Sequence, residues 1–259
     1  MTPALKTEIR DHVATIWLNR PDVHNAFDDA LIAELTAELR RLDGLAEARV
    51  IVLAAEGKSF SAGADLNWMK RMAQYSEEEN LRDARALANL MRTLHGVGKP
   101  TIARVQGAAF GGGVGLVACC DIAVASKEAL FCLSEVRLGM IPSVISPYVI
   151  AAMGQRAAQR YFLTAERFDA DEAKRVGLVQ GVVAPNDLDE AVAAMASHLL
   201  KGGPAALAAA KELIADVSRQ PIDDALVEET ARRIAALRVS PEGREGIAAF
   251  LEKRKPDWT

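Results

Sequence analysis

Short apolar segments alternate with amphipathic helices over the first half of the chain, and this alternation limits the folds that the sequence can adopt. Strands are predicted at residues 13–18, 50–54, 100–105, 122–125 and 130–133, and helices at residues 28–42, 76–94 and 111–119. The first helix carries leucines at helical spacing, and Ser76 with Glu79 forms a capping box at the start of the second. The pattern predicts an α/β class.

The composition changes after Pro147. One strand signal remains at residues 178–183, and helices are predicted at residues 186–200, 204–217, 221–239 and 241–254. Each of these helices is opened by Pro, Asn or Asp, which are common residues at helix starts. We therefore predict an α/β core over residues 1–195 and a helical C-terminal region over residues 196–259.

Charge and cysteine content argue against several classes of function. The 259 residues include 31 Lys and Arg against 35 Asp and Glu, a net charge of −4, and no basic stretch stands out, so no nucleic-acid partner is predicted. The three cysteines lack zinc-site spacing and the four histidines are not clustered, so no metal is predicted either. Neither a signal-peptide core nor a membrane-length apolar run is found, which predicts a cytoplasmic protein without membrane contact.

Two turns rich in small residues follow two of the predicted strands. The first covers residues 60–66 after the strand at 50–54, and the second covers residues 106–115 after the strand at 100–105. Backbone N–H groups at such strand-to-helix turns point outward without an intrahelical partner, and small side chains let a ligand approach them. Two such turns on neighbouring strands predict two N–H donors around one oxygen.

A nucleotide-phosphate cradle is the simpler explanation of the glycine run 111–113, but it fits poorly. No Lys-Ser or Lys-Thr pair follows the glycines, as a P-loop requires. The glycine spacing also differs from that of a dinucleotide-binding turn.

The paired turns resemble the signatures of the enoyl-CoA hydratase/isomerase (crotonase) family. Residues 61–66 (Ser-Ala-Gly-Ala-Asp-Leu) are similar to its first oxyanion loop, and residues 106–113 to its strand-to-glycine-helix segment. The likeness extends from Asn19-Arg20-Pro21 to residues 242–254 and so covers nearly the whole chain. It implies a spiral of ββα units with a helical C-terminal part. It also implies an oxyanion hole made by the N–H groups of Ala62 and Gly112.

The resemblance identifies Glu135 as the catalytic carboxylate, which would act as general base and acid with a pKa raised by an apolar cleft. It implies an acyl-CoA thioester as substrate, with coenzyme A as part of the substrate and no further cofactor. The implied contacts with the acyl group or CoA are His24, Ala26, Ser61, Ala64, Asp65, Leu66, Trp68, Met69, Gly111, Ser134 and Lys253. Family members are usually trimers or dimers of trimers. A homotrimer or homohexamer is therefore expected, with the C-terminal helices making subunit contacts and covering the active site.

One position departs from the family pattern. The best-known hydratases carry a first glutamate where this chain has Gly115, so Glu135 remains as the one carboxylate of the usual pair. Residues 131–148 and 113–116 resemble the bacterial methylglutaconyl-CoA and isohexenylglutaconyl-CoA hydratase group. The resemblance implies hydration of a branched or carboxylated enoyl-CoA. An isomerase or acyl-CoA hydrolase of the same fold, and a non-catalytic acyl-CoA-binding protein, stay open as alternatives.

A carboxylated acyl group needs a cation nearby. The candidates from the sequence are Lys70, Arg71 and Arg137. Hydroxyl groups that could assist Glu135 are those of Ser143, Ser146 and Tyr148, for which helix capping and packing are the simpler explanation.

Overall fold

Paired strands, each pair followed by a helix, build the core of the computed structural model, which describes residues 3–218 and 220–259. The strands are β1 (Leu5–Arg10), β2 (Val13–Leu18), β3 (Val50–Ala55), β4 (Ser59–Ser61), β5 (Thr101–Val105), β6 (Ala108–Phe110), β7 (Ile122–Ser126), β8 (Leu130–Cys132), β9 (Phe168–Asp169) and β10 (Gly181–Val183). The α-helices are α1 (Asp29–Asp43), α2 (Leu66–Met72), α3 (Glu77–Gly96), α4 (Gly112–Cys119), α5 (Ser146–Thr164), α6 (Ala170–Arg175), α7 (Leu188–Leu200), α8 (Pro204–Val217), α9 (Asp224–Val239) and α10 (Pro241–Glu252). Short 3-10 helices lie at Pro21–Val23, Glu135–Leu138 and Pro185–Asp187.

The strands form two sheets. The large sheet has the order β1-β2-β3-β5-β7-β10, with β1 antiparallel to β2 and the other pairs parallel. The small sheet has the order β4-β6-β8-β9, with β9 antiparallel to β8. A strand of the large sheet, a strand of the small sheet and then helix occur in turn along the chain, as in β5, β6 and α4. This confirms the predicted spiral of ββα units.

The burial of strand β3 shows that the large sheet is covered on both faces. All six of its residues are buried. Val50, Val52 and Ala54 pack in one cluster with residues of α7, whereas Ile51 and Leu53 belong to the main core with α1 and α3. Because side chains alternate between the faces of a strand, an unbroken apolar run is needed when both faces are covered by helices.

The C-terminal helices leave many apolar side chains in solvent. No side chain of α8 or α9 is buried among the described residues. Arg49 holds this region to the core, because its guanidinium donates to the carbonyl oxygens of Leu200, Gly202 and Trp258. The predicted boundary at residue 195 falls within α7, which packs on the large sheet.

Residues 3–218 and 220–259 contain neither a helix suited to span a membrane nor a cluster of side chains suited to bind a metal ion. None of the helices there combines the length and the apolar character that crossing a membrane requires. No group of three or more His, Cys, Asp or Glu side chains is arranged to hold a metal ion.

Candidate active site

The two small-residue turns meet because their strands are neighbours. β4 and β6 pair in parallel, with Ser61 opposite Ala109, and each runs directly into its turn. Gly63 has a φ of 93° and Gly111 a φ of 51° with a ψ of −117°, and L side chains rarely adopt such backbone conformations. A Cβ atom on Gly111 would stand 3.2 Å from Glu135 Oε1 and 4.0 Å from Gly63 Cα. The two turns and Glu135 therefore surround one point.

The N–H group of Ala62 is already used, which contradicts its predicted place in the oxyanion hole. It donates to the His24 carbonyl oxygen at 3.0 Å, because His24 adopts a left-handed conformation beside the turn. Ala64 lies two residues after Ala62, and Phe27 forms hydrogen bonds with both of its neighbours in the chain. The Phe27 N–H donates to the Gly63 carbonyl (2.7 Å), and the Phe27 carbonyl accepts from the Asp65 N–H (2.8 Å). Ala64 itself therefore points its N–H the other way.

Ala64 and Gly112 supply the available donors. Across the described residues, no acceptor takes a hydrogen bond from the N–H of either one. Gly112 is the first residue of α4, where an N–H group has no intrahelical acceptor. The donor pair is corrected from Ala62 and Gly112 to Ala64 and Gly112. Sequence reasoning placed Ala64 among the substrate contacts, but small residues alone do not show which N–H a neighbouring loop has taken.

Glu135 begins the 3-10 helix that follows β8. Its Oε2 atom is buried and has no hydrogen-bond partner among the described residues. Burial raises the pKa of Glu135, and a hydrogen bond from its own backbone opposes that rise. A carboxyl group with a raised pKa, left free to bond a ligand, is suited to exchange protons near neutral pH.

The position of Gly115 is closed to any larger side chain. A Cβ atom there would stand 2.9 Å from the Cβ of Ile145, would overlap its Cγ2, and would stand 3.3 Å from the Cε of Met91. Ile145 and Met91 are both buried. The space that a glutamate at this position would enter is therefore filled by hydrocarbon.

The predicted coenzyme A contacts divide into engaged and exposed groups. The Ser61 hydroxyl is buried and donates to the Asn25 carbonyl, and the Asp65 carboxylate caps α2 and pairs with Arg20 at 3.1 Å. These two side chains hold the loop rather than face a ligand. By contrast Leu66 is 73% exposed, and His24 is exposed with its ring Nδ1 3.1 Å from Ser59 Oγ.

The other predicted contacts differ in how accessible they are. Ala26 is buried, and Trp68 is buried with its Nε1 donating to Asp83. Met69 and Ser134 are half-buried. Lys253 is exposed and left-handed at the end of α10.

Of the predicted cations, Arg71 is tied to Asp29 at 2.5 Å, while Lys70 and Arg137 are exposed. Sequence reasoning missed Arg167, whose guanidinium lies 5.3 Å over the ring of Phe110, the residue before Gly111. The sequence does not show this contact, because Arg167 follows Phe110 by 57 positions (167 less 110). The pairing of β9, which begins at the next residue, with β8 brings the two side chains together.

Two of the three hydroxyl candidates make contacts of their own, one through the Ser146 hydroxyl and one through the Tyr148 ring. Ser146 Oγ donates to the Ser143 carbonyl at 2.8 Å, which is a local helix-start bond. The Tyr148 ring meets the His95 ring edge-on at 5.2 Å, and burial raises its pKa. Neither hydroxyl is bonded to Glu135.

Comparison with known proteins identifies relatives along nearly the whole chain. Residues 8–259 match the family described as enoyl-CoA hydratase/isomerase. The chain is 35% identical over 252 residues to the 2,3-dehydroadipyl-CoA hydratase of Escherichia coli, with 96% of each chain covered. It is 31% identical over 254 residues to the crotonyl-CoA hydratase of Syntrophomonas wolfei, with 97% of this chain and 96% of that one covered. The crystal structure of an enoyl-CoA hydratase from Shewanella pealeana superposes with a TM-score of 0.96 at 48% identity, over 99% of this chain and 96% of that one.

Proposed function

Because this chain belongs to the enoyl-CoA hydratase/isomerase family, with relatives named for hydratase activity, we propose that it hydrates an enoyl-CoA with Glu135 as its one catalytic carboxylate. One observation carries the proposal. Glu135 lies beside the Gly111 turn, with Oε1 3.2 Å from where a Cβ of Gly111 would stand, and its Oε2 is buried without a partner among the described residues. The N–H groups of Ala64 and Gly112 in the two turns are free within the described part of the chain. That arrangement offers an acid–base group and two oxyanion donors around one point.

The N–H groups of Ala64 and Gly112 would bind the thioester oxygen. As water adds to the β-carbon, negative charge develops on that oxygen, and fixed donors stabilise it without reorganisation. Loss of one such donor in a comparable site raises the barrier by about 3–4 kcal/mol. Glu135 would take a proton from water as the water oxygen bonds to the β-carbon, and Glu135 would then give that proton to the α-carbon. The hydroxyl and hydrogen of one water molecule are then both accounted for.

A branched or carboxylated acyl group, as in 3-methylglutaconyl-CoA, is the proposed substrate. The resemblance of residues 131–148 to the methylglutaconyl-CoA hydratase group supports it. So does the 2,3-dehydroadipyl-CoA hydratase of E. coli, whose name describes a thioester with a second carboxyl group. Arg137 and Arg167 have no ion pair in the described part of the chain, so either could pair with such a carboxylate.

Hydration of 3-methylglutaconyl-CoA and of crotonyl-CoA, followed by loss of the conjugated thioester absorbance, tests the proposal. The variants are the wild type, Glu135→Gln and, as a matched control, Glu128→Gln, because Glu128 is an exposed glutamate at the other end of β8 in sequence. Preferential turnover of the glutaconyl substrate, lost only with Glu135→Gln, supports both parts. Equal turnover of the two thioesters would leave the hydratase in place and remove the substrate assignment.

The loss of a second carboxylate at Gly115 favours one other reaction. A single carboxylate can move a proton between two carbons, so a double-bond isomerase remains the second candidate, and product identity with a 3-enoyl-CoA separates it from the hydratase. Thioester hydrolysis would release free CoA thiol. Tight binding without turnover, unaffected by Glu135→Gln, would instead indicate a binding protein.

We also propose a homotrimer or homohexamer formed through the C-terminal helices. The exposed apolar side chains of this region include Ile222, in the connection between α8 and α9, and Val239, Phe250 and Leu251 in the helices. Several large apolar side chains exposed in one region are typical of a surface that another subunit covers. Light scattering of the wild type and of Phe250→Glu would measure the oligomeric state.

A further inference from the structure

Helix α4 leads from the candidate site into the interior. Gly111 is its N-cap and Gly112 its first residue, both at the site, and the Gly115 N–H donates to the Gly111 carbonyl at 3.3 Å, so Gly115 lies one turn deeper. Positions four apart on a helix are about 5–6 Å apart at Cβ. The neighbour at the site is Glu135, and the neighbour one turn deeper is Ile145.

Ile145 is held firmly in that place. Its carbonyl oxygen accepts the N–H groups of Tyr148 and Val149 at 3.1 Å each, which fixes it at the start of α5. It is buried at 3% exposure, and a β-branched side chain has few rotamers available. Its Cγ2 methyl fills the space that Gly115 leaves open.

An acyl group bound as proposed would extend toward Ile145. The coenzyme A part lies on the open side, where His24 and Leu66 are exposed, and the thioester oxygen lies at the start of α4. An unsubstituted acyl chain has no carboxylate to pair with the exposed Arg137 or Arg167, so its carbons beyond the reacting pair are expected to extend inward past Glu135, along the buried face of α4. The side chain nearest to Gly115 in this direction is that of Ile145.

Resting on the acyl-CoA site proposed above, we propose that Ile145, seated on Gly115, forms the inner wall of the acyl pocket and limits the length of the acyl group. Its Cγ2 methyl is the limiting atom. Ile145→Val keeps Cγ2 and Ile145→Ala removes it, so this pair of variants isolates the wall from general changes in the core.

Dissociation constants of butyryl-, hexanoyl- and octanoyl-CoA, measured by calorimetry, test the wall without requiring turnover. We expect Ile145→Ala to raise the affinity for octanoyl-CoA relative to butyryl-CoA by about tenfold or more, the scale of one or two methylenes in a fitted pocket. Ile145→Val is expected to stay within about twofold of the wild-type ratio. The control Met153→Ala, a buried residue two turns further along α5, is expected to leave that ratio unchanged.

Gly115→Ala supplies a test in the opposite direction. The added methyl overlaps Ile145 Cγ2, so it is expected to weaken binding of all three thioesters; adding Ile145→Ala removes Cγ2 but keeps Cβ at 2.9 Å, so it is expected to restore binding in part. An unchanged chain-length ratio in Ile145→Ala, or an equal shift in Met153→Ala, overturns the wall. A wild type that binds these thioesters but hydrates neither 3-methylglutaconyl-CoA nor crotonyl-CoA overturns the proposed reaction alone.

Discussion

Replacing Glu135 by glutamine is expected to stabilise the folded protein even as it removes activity. The Oε2 atom is buried without a partner among the described residues, and a buried polar group left unsatisfied costs about 1–3 kcal/mol. Glu135 is half-buried and glutamine keeps a polar amide, so we take the lower end of that range. The expected gain in the free energy of unfolding is about 1 kcal/mol at pH 8. For a chain of this length that corresponds to a rise in Tm of about 2–4 °C.

The gain depends on pH with a defined sign. Burial raises the pKa of Glu135 in the folded protein above its ordinary value of 4.5. Between those two values the folded state binds more protons than the unfolded state, so wild-type stability falls as pH rises through that window. The advantage of Glu135→Gln is therefore expected at pH 8 and should vanish near pH 4. Urea unfolding at both pH values measures it.

Glu172 is the matched control, because its environment has the opposite effect. Hydrogen bonds from Arg175 and then Tyr161 lower the pKa of Glu172 to about 2. Its stabilising contribution is present above the unfolded pKa and is lost as pH falls toward about 2. Glu172→Gln is expected to destabilise the protein by about 1 kcal/mol at pH 8. A Glu135→Gln protein that is also less stable at pH 8, or equally shifted at both pH values, would refute the reasoning.

Three further outcomes follow from the fold and the loops. Gly107→Ala is expected to lower the unfolding free energy in urea by about 3 kcal/mol, because a Cβ there overlaps the Lys58 carbonyl; a loss under 1 kcal/mol would count against it. Asp65→Ala removes the cap of α2 and an ion pair, and we expect a loss of about 2 kcal/mol by the same measurement, with an unchanged midpoint contradicting it. Burial raises the pKa of the Cys119, Cys120 and Cys132 thiols, and Cys119 and Cys132 are also buried from the reagent, so at most one of three cysteines should react rapidly with Ellman's reagent at pH 8, and all three after unfolding.

The sequence predicts the architecture well because most of the signal is local. The strand at residues 50–54 and the helix at 28–42 match β3 and α1 within a residue or so, since burial period and capping determine both. The short strands β4 and β6 were predicted as turns. Three residues are too few for a periodic pattern, and their pairing in the small sheet comes from the rest of the fold.

The sequence predicts which segments form the site, but the role of each group within it depends on contacts between residues far apart in the chain. Glu135 and the glycine turns come together as expected. The choice of Ala62 was wrong because its N–H is taken by His24, a residue 38 positions earlier, counted as 62 less 24. Asp65 belongs to a signature yet serves as a cap and ion-pair partner, and Ile145 gives no local sign that it faces Gly115. The spacing of apolar residues along the chain does not reveal contacts between residues so far apart in sequence.

Steady-state hydration of one enoyl-CoA by the wild type and by Glu135→Gln tests the central claim most directly. General acid–base groups contribute about 10²–10⁴-fold, so kcat should fall by at least about 100-fold while KM stays within about threefold. The same samples give the unfolding curves, which separate lost chemistry from lost structure. A folded Glu135→Gln protein that retains kcat within about tenfold of the wild type would contradict the assignment of Glu135 as the catalytic carboxylate.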